Sequence, residues 1–270
     1  MIIDVSSGVG EWAFDPLGRT SPQELSYYME KEGILMALVS PVEGICYKNP
    51  HTVIQKHFER LKPFPGLIPV PVINPLLADS EKQAETAFEM GAPALKLYPG
   101  YHGYDPGCLD SGNLLGFCGK TGMAAMFQAR VEDSRRQHRV FNVPMVETGA
   151  ILDAIEKYPG TTVIICGLTS IKGEERERIL KRERTYIDTA FLEYMDTLNY
   201  PLCSLDGRYD RIMFGSHSPF FYMRANVLKL KALEKNVKAH EQVSFKNVLG
   251  ALNLKDRYVK LAGKKEGAAQ

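Results

Sequence analysis

The densest polar run in the sequence is Gln128-Ala129-Arg130-Val131-Glu132-Asp133-Ser134-Arg135-Arg136-Gln137-His138. It follows directly on a short apolar run. A strand that continued through it would set Gln128, Arg130 and Glu132 on one face, because side chains alternate along a strand. A guanidinium so placed can clamp a carboxylate or phosphate through two parallel hydrogen bonds, with Gln128 and Glu132 orienting and His138 as a further contact. A solvated charged loop, or an Arg–Glu pair bracing a rim, fits the same residues.

Four other places carry chemistry. His217, in Gly215-Ser216-His217-Ser218-Pro219, could take or give a proton near neutral pH, or brace a loop through its hydrogen bonds. Lys96, in Ala94-Leu95-Lys96-Leu97-Tyr98, points either inward, where it could bind an anion or form a Schiff base, or into a salt bridge that caps the interior. Asp188 ends Tyr186-Ile187-Asp188 and could orient His217, pair with Arg130 or cap the next element. Tyr98 opens an aromatic, glycine-bearing stretch to Tyr104 that reads as a loop, either a lid or an ordinary packed connection. Trp12 and Phe14 present a similar choice, and Cys166 reads as a buried, inert thiol.

Positioning such residues requires a regular frame. Apolar runs at Ile2–Val5, Ile34–Val39, Leu67–Ile73, Ala94–Tyr98, Met123–Gln128, Thr162–Cys166, Thr185–Asp188 and Arg211–Phe214 lack polar alternation, as parallel strands buried on both faces do. Amphipathic stretches lie between them: Pro22–Lys31, capped by Ser21 and stopped at Gly33, then Ala78–Met90, Pro144–Tyr158, Ile171–Arg184 and Phe221–Asn236. Eight strand–helix units predict a single (β/α)8 TIM barrel of the α/β class over residues 1–262. Glu241–Leu254 is an additional C-terminal helix, and residues 263–270 form a frayed tail. No glycine-rich phosphate loop follows the first strand.

The totals narrow the function classes. With 33 basic against 32 acidic residues there is no general attraction to nucleic acid or to an anionic membrane, and no apolar run reaches membrane-spanning length. Five cysteines without CxxC spacing suggest a reduced interior and no zinc knuckle. No leader-like segment precedes Ile2, so the expected compartment is the cytoplasm. The expected partner is a small anion, with a homo-oligomer left open.

Four segments together resemble the amidohydrolase-related barrels, the branch of metal-dependent hydrolases and decarboxylases that includes aminocarboxymuconate semialdehyde decarboxylase. They are Ile2-Ile3-Asp4-Val5-Ser6-Ser7-Gly8-Val9-Gly10, Gly91–Pro99, Arg211–Pro219 and Asn247–Leu254, in order and spread from residue 2 to 254. The charged run from Arg130 to His138 also resembles a segment of metal-poor relatives. The resemblance implies one or two divalent metals in the barrel mouth, yet the positions implied for its ligands are altered. The His-x-His pair falls on Ser6 and Gly8, the fifth-strand His on Gln128, the sixth-strand His on Gly167, and the eighth-strand Asp on His217. Serine, glycine and glutamine are poor zinc ligands.

Three outcomes follow. The first is a metal-independent hydrolase or lyase that hydrolyses, opens a lactone or decarboxylates. In it Arg130, Lys96, Tyr98, Gln128 and His138 bind a small anion, while His217, Asp188 and Glu132 do the proton chemistry. The second is a silent barrel that binds an anion or a protein partner. The third is a metalloenzyme, zinc being the alternative cofactor, with ligands rearranged among Glu11, His102, Glu132, His138 and His217.

Overall fold

Strand β1 (Ile2–Val9) and strand β2 (Ile34–Pro41) are buried along their whole length, which is what runs without polar alternation require. In the computed structural model, which describes residues 1–133, 135–139, 141, 143–171, 173–192 and 205–268, they begin a series of parallel strands. β3 (Leu67–Pro69), β4 (Ala94–Leu97), β5 (Ala124–Gln128), β6 (Thr162–Cys166), β7 (Thr185–Asp188) and β8 (Ile212–Met213) follow. They pair in sequence order, β1 to β3 in one sheet and β4 to β8 in another. Backbone hydrogen bonds join the two sheets at both seams. Lys96 N–H donates to Pro71 O and Ile73 N–H to Lys96 O, while Val5 N–H donates to Phe214 O and Gly8 N–H to Ser218 O. The eight strands thus run round a closed ring, as a (β/α)8 barrel does.

Helix α1 (Pro22–Lys31) has the bounds its signals predict. Ser21 and Glu24 form a reciprocal capping box, Pro22 sits in the first turn, and Gly33 adopts φ +71° just past the end. Helices α2 (Ile54–Leu61), α3 (Ser80–Glu89), α4 (Pro99–His102), α5 (Leu109–Thr121), α6 (Thr148–Ile155), α7 (Gly173–Lys181) and α8 (Met223–Lys229) form most of the outer layer. The stretch read as a loop after Tyr98 therefore contains a short helix, stopped by Gly103 at φ +68°. Toward the C-terminus α9 (Val237–Glu241), a π-type turn over Gln242–Lys246 and α10 (Asn247–Ala251) precede α11 (Lys255–Ala268). The backbone of residues 263–268, read from sequence as a tail, continues α11. Among the described residues no helix is long and apolar enough to cross a membrane.

The strands sort their side chains by parity. Leu95, Leu97, Ala125, Phe127, Val163, Ile165 and Ile187 pack outward against helices. Ile3, Val5, Met36, Leu38, Ile68, Ala94, Met126, Ile164 and Met213 fill the interior, and Val248, Leu249, Leu252 and Leu254 close it from one end. A third apolar cluster of Trp12, Val42, Ile45, Val72, Tyr98 and Val131 lies apart from both. Between it and the barrel interior the strand ends supply a polar layer.

Candidate functional site

Strand parity settles the direction of Lys96: it shares a face with Ala94 and points inward, with only 3% of its surface exposed. By the same rule Gln128 follows Met126, Cys166 follows Ile164, and Asp188 follows Tyr186. Lys96, Gln128, Ser6, Tyr98 and His217 line one narrow recess with about 20 Å³ of free space. That is room for about one water, well below small-molecule sites of roughly 300–1,000 Å³.

His217 is held at φ +54° on the segment leaving β8, a conformation unusual for any residue but glycine. Its ring stacks on Phe220, with centroids 5.0 Å apart, and meets Phe191 and Phe221. Nε2 lies 2.6 Å from the Val131 carbonyl. A carbonyl only accepts, so Nε2 carries the hydrogen and the lone pair is on Nδ1. Burial pushes the imidazole pKa down to about 3, and the charge of Lys96 pushes the same way. Of the two roles the sequence left open, this geometry supports the bracing one, with Nε2 donating to the Val131 carbonyl.

Asp188 takes the capping role. Among the described residues it accepts from the N–H of Gly167, on Oδ1 at 3.0 Å, and from that of Ala190, and lies against the Cys166 thiol, rather than pairing with His217 or Arg130. Its Oδ2 is buried without a hydrogen-bond partner. Burial raises its pKa, and the Lys96 charge opposes the rise. Asp4, a second buried carboxylate, is fully supplied. Oδ1 accepts from the N–H groups of Ser6 and Ser216, each at 2.9 Å, and Oδ2 from the hydroxyls of Ser7 and Ser216. Four donors fit an ionised carboxylate clasping the β1–β8 seam.

A second cleft, with about 30 Å³ of free space, adjoins the first, and Gln128 lines both. β5 ends at Gln128, where the apolar run read from sequence ends, so the strand does not continue to set Arg130 and Glu132 on one face. The irregular chain that follows nevertheless brings both to this cleft, beside Gln137 and Met145. Arg130 does not line the recess of Lys96. It donates to the Met145 thioether at 3.3 Å, a weak acceptor for a guanidinium. Glu132 is partly buried, and desolvation raises its pKa against the opposing pull of Trp12 and Arg136. Gln128 Nε2 donates to the Arg130 carbonyl, while its buried Oε1 has no partner.

Aromatic rings from four loops roof the mouth. Trp12 meets Phe14, Tyr101 and Phe220 edge-on at 5.4, 5.8 and 5.0 Å, and Phe14 stacks on Phe141 at 5.0 Å. His138 stacks on Phe14 at the exposed rim and lines neither recess. The Tyr98 hydroxyl is buried beside Ser40, and its pKa is pushed up by desolvation.

The donor set does not fit the divalent metal that the family resemblance implies. A side chain at Gly8 would meet Val42 Cγ2 at 2.8 Å. One at Gly167 would meet the Arg130 carbonyl and Gln128 Nε2, both at 2.7 Å, with φ already at +84°. Imidazoles have no room at either place. Among the described residues no three His, Cys, Asp or Glu side chains come together as a metal could require. Sequence reasoning missed Asp4 as the seam clasp, and missed Ser40 and Val42. Only the Asp4-x-Ser6-Ser7 and Ser216 pattern offered a signal, a buried acid with hydroxyl donors nearby.

No family model matches the sequence, and no curated protein matches it. Solved structures match in fold. A 5-carboxyvanillate decarboxylase of Sphingomonas paucimobilis superposes with TM-score 0.72 at 12% identity, covering 93% of this chain and 98% of its own. A 2,6-dihydroxybenzoate decarboxylase from Rhizobium gives 0.66 at 12% identity, covering 94% and 99%. A probable 2-pyrone-4,6-dicarboxylic acid hydrolase of Acinetobacter baumannii, solved with citric acid bound, gives 0.68 at 10% identity, covering 93% and 99%. These likenesses establish the barrel, end to end, that the four sequence segments imply.

Proposed function

We propose that this chain is an amidohydrolase-like barrel enzyme that transforms a small carboxylate, by hydrolysis, lactone opening or decarboxylation, without the family's metal. The observation that carries the reading is the recess itself. A buried lysine and Gln128, whose Oε1 has no partner among the described residues, line one small space, and buried polar atoms are seldom left unmatched unless something completes them. The solved proteins of the same fold are named for carboxylated molecules, which supports an acid as substrate.

The geometry favours a division of labour. Lys96 and Arg130 hold the anionic end from the inner and outer sides of Gln128. His217 offers a fixed acceptor at Nδ1. Glu132, whose carboxyl burial brings closer to neutral pH, is better suited than His217 to deliver a proton.

Trp12, the sole tryptophan, roofs the site and reports its occupancy. Benzoate should quench its fluorescence saturably, and Arg130→Ala and His217→Ala should each abolish turnover in a screen of esters, lactones, amides and carboxylates. Full activity in both variants would remove the proposal. The loss of basicity at His217 favours a second reading, a silent anion-binding barrel. Quenching by benzoate with no turnover of any class would select it.

A further inference from the structure

We infer that the groove where the loops after β1, β5 and β8 meet is a second carboxylate site, separate from the recess and cleft of the barrel mouth. Arg19 and Arg136 line it, with Pro16, Leu17, Phe220 and Tyr222 as apolar walls, around about 210 Å³ of free space. Lys96, Gln128, Arg130, Glu132 and His217 line no part of it, so the site does not depend on the proposed reaction.

A strained loop carries Arg19 to this groove. The chain leaves β1 at Gly10 and returns at Thr20, where the Gly10 N–H donates to the Thr20 carbonyl at 2.7 Å and closes the loop at its neck. Just before the neck, Gly18 and Arg19 are left-handed in succession, at φ +62° and +55°. Glycine accepts that region freely and arginine does not, so the fold keeps the strain for the direction it gives the side chain. That direction is a stacked one. The Arg19 guanidinium lies 4.2 Å from the ring centre of Tyr222 and 5.0 Å from that of Tyr28. Rings occupy the face of a guanidinium and leave its N–H edge for an acceptor.

The chain supplies little acid to that edge. Among the described residues Arg19 forms no ion pair. Glu24, which feels its charge, is taken up by the backbone N–H and hydroxyl of Ser21. Arg136 reaches Asp15 Oδ2 at 3.4 Å, in a pair with both side chains more than half exposed, a geometry worth little. Two arginines and one Asp15 leave one net positive charge, which fits a monoanion. The apolar walls fit a hydrocarbon body. A single-ring carboxylate matches both, accepting two parallel hydrogen bonds from a guanidinium edge. Inorganic phosphate would use the charge and not the walls.

Calorimetric titration with benzoate tests the site in the Arg130→Ala variant, in which the barrel-mouth site is weakened. One benzoate per chain should still bind, and adding Arg19→Gln should weaken that binding at least about tenfold. Benzamide, the uncharged analogue, and inorganic phosphate should not compete. An affinity unmoved by Arg19→Gln, or benzamide or phosphate competing as well as benzoate itself, overturns the inference. Loss of all benzoate binding in Arg130→Ala overturns it too, and leaves the barrel-mouth reading standing. Equal binding by the wild type and Arg130→Ala, lost from both with Arg19→Gln, supports this groove and removes the barrel mouth as the benzoate site.

Discussion

Two recesses meet at Gln128 and treat charge in opposite ways. The inner one, around Lys96 and His217, is lined by buried side chains. Its imidazole is pushed down to about 3, and the nearby carboxylates are held by backbone and serine donors. The outer one, around Arg130 and Glu132, has half-buried side chains, and among the described residues the guanidinium donates to a thioether. Burial removes titratability and turns residues into fixed scaffolding, whereas partial exposure leaves groups free to respond to pH and ligand. The types of residue alone suggested the reverse, with His217 as the proton carrier.

If the contrast holds, stability and binding should separate cleanly between the two sides. His217→Ala removes a ring packed among Phe191, Phe220 and Phe221 and leaves the Val131 carbonyl unpartnered, so it should cost about 3 kcal/mol in urea unfolding. Arg130→Ala should stay within about 0.5 kcal/mol of wild type, yet weaken benzoate binding at least about tenfold. Equal stability losses for the two would erase the distinction. Gly167→Ala places a methyl group at 2.7 Å from the Arg130 carbonyl at a positive φ, and should cost roughly 2 kcal/mol. In α6, Gly149 has open space around its Cβ, so Gly149→Ala should stabilise slightly, by about 0.5 kcal/mol. Denaturation of both variants side by side checks the filled-position reading.

The pH response sharpens the comparison further. Desolvation raises the Glu132 carboxyl, so this group is neutral at low pH and gains its charge as pH rises through the raised value. An ionised Glu132 puts a negative charge in the same cleft as Arg130 and repels an anion there, while a neutral one does not. Benzoate affinity should therefore fall by a few fold as pH rises through the raised carboxyl value. Glu132→Gln should flatten that profile. His217→Asn should leave its midpoint in place, because the imidazole titrates far below the range. A midpoint that moved with His217 instead would return the proton chemistry to the inner recess.

What could be read from sequence divides along similar physical lines. Thr162–Cys166 and Thr185–Asp188 were legible to the residue, because strands buried on both faces are continuous apolar runs, and α1 because its capping signals are local. Helix α5 was not legible. Its Gly112, Gly116 and Gly119 lower helical propensity, but two of them permit close packing. A side chain at Gly112 would strike the Tyr158 hydroxyl, and one at Gly119 would sit 2.7 Å from Thr161 Oγ1. The inward direction of Lys96 was available from the small Ala94 two residues earlier. The end of β5 at Gln128 was legible too, as the last residue of the apolar run Met123–Gln128, but the irregular path that brings Arg130 and Glu132 to one cleft was not. Nor can composition foretell the loss of basicity at His217, because burial is a property of the assembled mouth.

The smallest effect expected lies in the roof. Phe141 is partly exposed, stacks on Phe14 and touches Tyr101, both of which lean on Trp12. Removing its ring takes away stacking worth about 1 kcal/mol at most, and leaves Lys96, Gln128 and Arg130 in place. If the aromatic cluster covers both recesses without contacting the anion, Phe141→Ala should speed benzoate association and dissociation together and leave the equilibrium constant unchanged. Stopped-flow quenching of Trp12 separates the two rates. A change confined to dissociation would instead make Phe141 a binding contact, and would extend the outer recess up to the rim where His138 stacks.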